Sequence, residues 1–325
     1  MKGEEGVLGF LYHANLSSMP AAKAPSDLPQ SKVFRGIGVA SLHTTLLDSR
    51  EDVHLLFKSS PFGTQSHGHN PHNSFQLNAY GEALLTTCVY RDLHGSKFHY
   101  EWAHSTVAHN AVLVNGEGQI KHTPAPHGRI EDFQLSPKFD YLAGDTTAAY
   151  GNRLQRYRRH VAFVKSDPDH PVIVLYDDLS AREPSTFQFM LHALKPFTVD
   201  ERTGQLSVEQ ARAGVEVRYL APVPLSFRQW DGYQPKPDRE VPNQWHVEAG
   251  TREKRKDCGV LTVLIPFRSG HREDWKAERV ESDSAIGVRV IRGDKVILVA
   301  FRKEGTKGEA KLEGIPFKES VLIRL

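Results

Sequence analysis

The sequence predicts an all-β protein, an antiparallel two-sheet β-sandwich from about Val33 to Leu325. Three observations predict it. Apolar residues alternate with polar ones in short segments, the period-two signature of half-buried strands. Glycine, asparagine and proline turns punctuate those segments at short intervals. Beyond Val33, amphipathic helical periodicity is nowhere sustained over about ten residues, roughly the length of a globular helix.

The elements follow in order. Residues 1–30 open with Val7-Leu8-Gly9-Phe10-Leu11-Tyr12-His13 and pass into a Pro-, Ala- and Ser-rich stretch, which reads as the remnant of a preceding element joined to a linker. The sandwich domain is assigned to residues 31–325. Strands are expected at Lys32 to Leu47, Val53 to Ser59 and Ser74 to Tyr80, where Phe75, Leu77 and Ala79 alternate with Gln76 and Asn78. Gly81-Glu82 reads as a tight turn into Ala83 to Tyr90, and Ala111 to Val114 runs into the strong turn signal Asn115-Gly116. Leu154 to Lys165 and Val172 to Leu179 form a pair across Asp167-Pro168-Asp169-His170-Pro171. Val288 to Ile291 and Val296 to Phe301 form another across Arg292-Gly293-Asp294-Lys295. Val215 to Leu220, Trp245 to Ala249, Val260 to Pro266 and Ser320 to Leu325 complete the set.

Composition narrows the function classes. A chain of 325 residues with 39% hydrophobic and 25% charged residues buries a substantial core and is not a disordered segment. The 41 basic residues balance 39 acidic ones, a formal +2 that argues against nonspecific nucleic-acid or membrane-surface binding. Cys88 and Cys258 make neither a disulfide framework nor a zinc ribbon, although one long-range bridge stays open. No apolar run is long enough to span a bilayer, and the N-terminus lacks the pattern of a secretory signal. Localisation stays unassigned, with a periplasmic or secreted site expected if the chain is part of a longer polypeptide.

Chemically capable side chains concentrate between Ser59 and Gln119. In an extended segment, residues i and i+2 share a face, so His67 and His69 would project together, and His109 from a separate strand is a candidate third member. Two neighbouring imidazoles can share a metal, or one can hold it while the other handles protons. Asn70, Asn73 and Asn110 add uncharged groups suited to hydroxyls or a carboxylate. The competing reading makes His67 and His69 surface loop residues and His109 a hydrogen-bonded core histidine. A cupin-like metal site needs a carboxylate five residues after the pair, where this chain has Ser74.

These residues carry a resemblance. Lys58-Ser59-Ser60-Pro61-Phe62-Gly63 leads into His67-Gly68-His69 and Ser74-Phe75. Ala79-Tyr80-Gly81-Glu82 and Ala108-His109-Asn110 follow, before Asn115-Gly116. Together they resemble the C-terminal sandwich domain of the heparinase II/III family of polysaccharide lyases. Arg158-Arg159-His160-Val161, Tyr176-Asp177-Asp178 and Leu191-His192 fit the same pattern. The resemblance implies β-elimination on a uronic-acid glycan such as alginate or a glycosaminoglycan. A base takes the C5 proton, a donor protonates the departing C4 oxygen, and the uronate carboxylate is neutralised. It implies that His67 is catalytic and that His69 and His109 hold a metal, usually zinc. Asn70, Asn73 and Tyr90 are the candidate sugar contacts.

Two departures follow. Where the family supplies a third, acidic metal ligand this chain has Thr86, so either no metal is held or Glu82, Asp92 or a water completes the site. The N-terminal α/α toroid that faces the sandwich in this family does not fit into residues 1–30. The expected partners are therefore an acidic polysaccharide and a separate toroid domain. The alternative is a noncatalytic carbohydrate-binding or structural sandwich.

Overall fold

The computed structural model describes residues 23–63, 68–69, 71–87 and 92–325. It is 51% strand and 7% helix, and every strand pairing is antiparallel. A five-stranded meander takes Lys32–Phe34, Val39–His43, Val53–Lys58, Ser74–Ala79 and Glu82–Leu85 in chain order. A four-stranded sheet orders Leu225–Asp231, Trp245–Thr251, Phe187–Ala193 and Val112–Val114. These two sheets share one face of an eight-stranded sheet whose centre is Arg255–Arg268, Val172–Ser185 and Leu154–Val164. A second four-stranded sheet, Lys276–Glu281, Ala285–Arg292, Lys295–Arg302 and Val321–Arg324, covers the other face.

The central strand shows why the sequence reads as it does. Along Val172–Ser185, Ile173, Leu175 and Leu179 enter the larger core, while Val172, Val174 and Tyr176 enter the smaller one. A strand buried on both faces loses the polar half of its alternation, hence the nearly unbroken apolar run. The sandwich thus gains a further layer. The hairpin of Ala285–Arg292 and Lys295–Arg302 has a clean inward row of Ile286, Val288 and Val290, but period two cannot say which apolar face that row will cover.

Turn chemistry matches the sequence closely. Asn115 and Gly116 both have positive φ (55° and 79°), the two-residue hairpin geometry their identities favour. The turn expected at Gly81-Glu82 sits one residue earlier: Tyr80 (φ 53°) and Gly81 (φ 83°) make the bend, and Ala79 pairs with Glu82. The segment Lys32 to Leu47 is two strands broken at residues 35–38, where Gly38 has φ 65° and lies so close to the Ser59 carbonyl that no Cβ fits. Strands at Arg129–Leu135 and Phe139–Asp145 carry weak alternation and are not evident from sequence.

Candidate functional site

His67, Asn70 and Tyr90 lie outside the described residues, as does Cys88; Cys258 is buried and free. The polar segment leaves the end of Val53–Lys58 and returns as Ser74–Ala79. Its last residues are locked down: His72 accepts from the Ser60 N–H through Nδ1 (3.2 Å), and Gln119 bonds both the N–H and C=O of His72 (3.2 and 2.8 Å). Asn73 has φ 57°, a left-handed conformation that asparagine tolerates. It is fully buried, and its Nδ2 donates to the Gly144 carbonyl (2.8 Å).

A buried ion pair ties this segment to the one carrying His109. Arg159 and Asp177 face each other across adjacent strands and meet through two bonds, Nε to Oδ1 (2.7 Å) and Nη2 to Oδ2 (3.0 Å). The remaining guanidinium nitrogen, Nη1, donates to the carbonyls of Asn73 (2.6 Å) and Asn110 (2.9 Å). Burial opposes the charge on Arg159, but the Asp177 carboxylate outweighs it and raises the guanidinium pKa. Asn110 extends the clamp: Nδ2 donates to the Phe75 and Thr86 carbonyls (both 2.8 Å), and Oδ1 accepts from the His192 N–H (2.9 Å). One arginine and one asparagine therefore set the spacing of three chain segments.

Above the clamp, histidines gather. His69 is half-buried, with its ring centroid 5.5 Å from that of His109 and 5.3 Å from that of His104. Burial, then the nearby Lys58 and His99, lowers its pKa to about 4. His104 belongs to a feature the strand pattern does not reveal, a π-helical turn at Phe98–Ala103 in which the His104 N–H bonds the His99 carbonyl (3.1 Å). Residues five apart share a face there, and His94, His99, His104 and His109 are spaced by five in the sequence. That repeat was the available signal. The rings of His94 and His99 are 4.8 Å apart, and Nε2 of His99 lies 3.1 Å from Nε2 of His104. Exposed Tyr100 and His122 close the group, each within 6 Å of His104 by ring centroid.

The floor beneath is a second buried pair. His246 Nε2 bonds the Gly232 carbonyl (2.7 Å), so its Nδ1 accepts from His192 Nδ1 (2.7 Å). Burial holds both neutral. Trp102 packs on His246, linking the π-helical turn to this floor.

The described residues do not complete a zinc set. His109 is buried, with its pKa well below the usual value because of that burial. Its Nε2 bonds the Ala103 carbonyl (3.2 Å) and its Nδ1 the Thr87 hydroxyl, so a metal would have to displace one of them. Thr86 accepts from Gln244 Nε2 (2.8 Å), Glu82 accepts from the Arg212 N–H (3.2 Å), and Asp92 accepts from the Asp238 N–H (2.7 Å). Among the described residues no three metal-ligating side chains converge. A zinc role for His69 and His109 is carried no further than the pair itself. No helix among the described residues is long and apolar enough to cross a membrane.

These features define an antiparallel β-sandwich domain with a histidine-lined edge. The chain belongs to the heparinase II/III-like family: residues 26–285 match the model "Heparinase II/III-like, C-terminal". Similar solved structures include a heparinase III gene product (15% identity, TM-score 0.67, 85% of this chain and 43% of that one). Another is the heparan sulfate lyase HepC from Pedobacter heparinus (12% identity, TM-score 0.66, 89% and 43%). A third is heparinase III (13% identity, TM-score 0.65, 84% and 42%). At these identities the likeness concerns the fold. The chain spans less than half the length of these structures. No curated protein gives a significant sequence match.

Proposed function

We propose that the chain is the sandwich component of a polysaccharide lyase, contributing one wall of a site for β-elimination on a uronic-acid glycan such as heparan sulfate or alginate. The observation that carries this reading is the gathering of His69, of Tyr100 with His104, and of His122 from three segments at a partly exposed edge, over a buried clamp. Catalytic groups need to be held in place, because small misplacements cost large factors in rate.

His67 is the proposed proton-handling residue, with Asn70 and Tyr90 as sugar contacts; Asn73, buried and bonded to the Gly144 carbonyl, is an anchor of the chain rather than a sugar contact. His69 and His104, both held near pKa 4, are neutral at physiological pH. Neutral imidazoles suit proton acceptance and hydrogen bonding to a uronate carboxylate or hydroxyl, not donation of a proton to a leaving oxygen. The acid would then come from elsewhere, which fits a second wall supplied by a helical domain.

The test is elimination followed by the ultraviolet absorbance of the unsaturated product. Residues 1–325 alone should show little activity on heparin, heparan sulfate or alginate. Activity should appear when a toroid domain is supplied in cis or in trans, and fall on His67→Ala. Robust activity of the chain alone, unchanged by His67→Ala, would place the chemistry elsewhere. Glycan binding with no elimination under any pairing would favour a noncatalytic carbohydrate-binding module.

A further inference from the structure

A second constellation lies on the outer face of the five-stranded sheet. Ser41 and His43 flank core-facing Leu42 on Val39–His43, and His54 stands directly opposite His43 in the register. Ser41 Oγ is 2.9 Å from His43 Nε2 and 2.9 Å from His54 Nε2. On its far side, His43 Nδ1 is 2.6 Å from Asp52 Oδ2. The carboxylate is itself fixed, since Oδ1 accepts from Thr44 N, Thr45 N and Thr44 Oγ1 at 3.1, 3.1 and 3.2 Å. The rings of His43 and His54 are stacked, with centroids 3.9 Å apart.

The hydrogen-bond directions follow from valence. An ionised Asp52 requires the proton on His43 Nδ1, so in neutral His43 Nε2 carries a lone pair and the Ser41 hydroxyl must donate to it. The hydroxyl has one proton, so its oxygen must accept from His54, which places a proton on His54 Nε2. A structural tie for the 44–52 turn would need Asp52 and the threonines, but not a serine held between two imidazoles.

We infer that Ser41 is an activated nucleophile for short acyl esters, with His43 as its general base, Asp52 as the group that orients His43, and the His54 Nε2–H as the donor for the developing oxyanion. A nucleophile within reach of a base that a third group orients is the signature of acyl-transfer sites on unrelated folds. Ser41 Oγ bonds the acyl carbon while its proton passes to His43 Nε2. The alkoxide departs with that proton, and a water attacks the acyl-serine by the same route to release the carboxylic acid. Leu56, opposite Ser41 on the same face, gives a small apolar floor. Side-chain exposures of 18% for His43 and 11% for Asp52 leave the base reachable and the carboxylate sheltered. The inference is independent of His67 and of any second domain.

The test uses the full chain with a fluorophosphonate, which traps activated serines, and with p-nitrophenyl acetate as substrate. The expected result is a single adduct mapped to Ser41 by peptide mass spectrometry, absent in Ser41→Ala. Adduct formation should slow at least tenfold in His43→Gln, and ester hydrolysis should fall at least tenfold in Ser41→Ala with an unchanged circular dichroism spectrum. Trapping of the unmutated chain needs no variant to fold, so the absence of a Ser41 adduct overturns the inference outright. Ester hydrolysis by Ser41→Ala within twofold of the parent chain would overturn it equally.

Discussion

Arg159→Ala should be among the most damaging single substitutions in this protein. The guanidinium is 3% exposed and Asp177 1%, so the substitution leaves a carboxylate in the core whose one remaining described hydrogen bond comes from the Tyr157 hydroxyl (3.0 Å). Breaking a buried pair from one side costs about 3–5 kcal/mol. The Asn73 and Asn110 carbonyls also lose their donor, at about 1–3 kcal/mol for a buried group left unsatisfied. Because these groups share one partner, the costs do not add fully. A loss of about 4–6 kcal/mol is expected, a large part of the roughly 5–15 kcal/mol that holds a domain folded. Urea unfolding followed by tryptophan fluorescence and circular dichroism measures it. Arg159→Met combined with Asp177→Leu removes the stranded charge and should recover part of the loss, leaving about 1–3 kcal/mol from the orphaned carbonyls and the Tyr157 hydroxyl. A loss below about 1 kcal/mol in Arg159→Ala, or no recovery in the double variant, would refute the clamp.

Stability should also fall in mild acid. His72 and His246 have folded pKa values lowered to about 4, with burial the largest cause, against an ordinary value of 6.5. Their contribution is whole above pH 6.5 and is lost as the pH drops toward 4, by up to about 1.4 kcal/mol per pH unit for each. Melting temperatures that stay flat between pH 7.5 and 5 would contradict this. Asn110→Ala removes three buried hydrogen bonds and should cost about 2–3 kcal/mol in urea unfolding; a change under about 0.5 kcal/mol would show that the segments hold their spacing without it. Elemental analysis of protein purified without added metal should show less than one zinc per chain, since His109 is bonded at both nitrogens. One tightly held zinc lost on His69→Ala would instead establish the metal pair.

Much of this architecture is legible in the sequence because its cause is local. Period two at Phe75, Leu77 and Ala79 follows from the pleat of a strand, and the Asn115-Gly116 bend follows from which residues accept positive φ. The polar stretch near His69 and the motifs around Arg159 and Asp177 are visible as residue types. Their relation is not: that Arg159 bonds the carbonyls of Asn73 and Asn110 depends on the register of Leu154–Val164 against Val172–Ser185 and on how the five-stranded sheet lies over it. The five-residue spacing of His94, His99, His104 and His109 was present throughout, but that His99 and His104 meet depends on the backbone taking a π-helical turn between them. Ser41, His43 and Asp52 were equally in view and carried no signal, because the turn that returns Asp52 to His43 and the register that sets His54 opposite it are properties of the folded sheet. Sequence determined the strands and their turns through short-range sterics and alternation; tertiary structure decided which polar groups meet, because that depends on long-range register that no local pattern encodes.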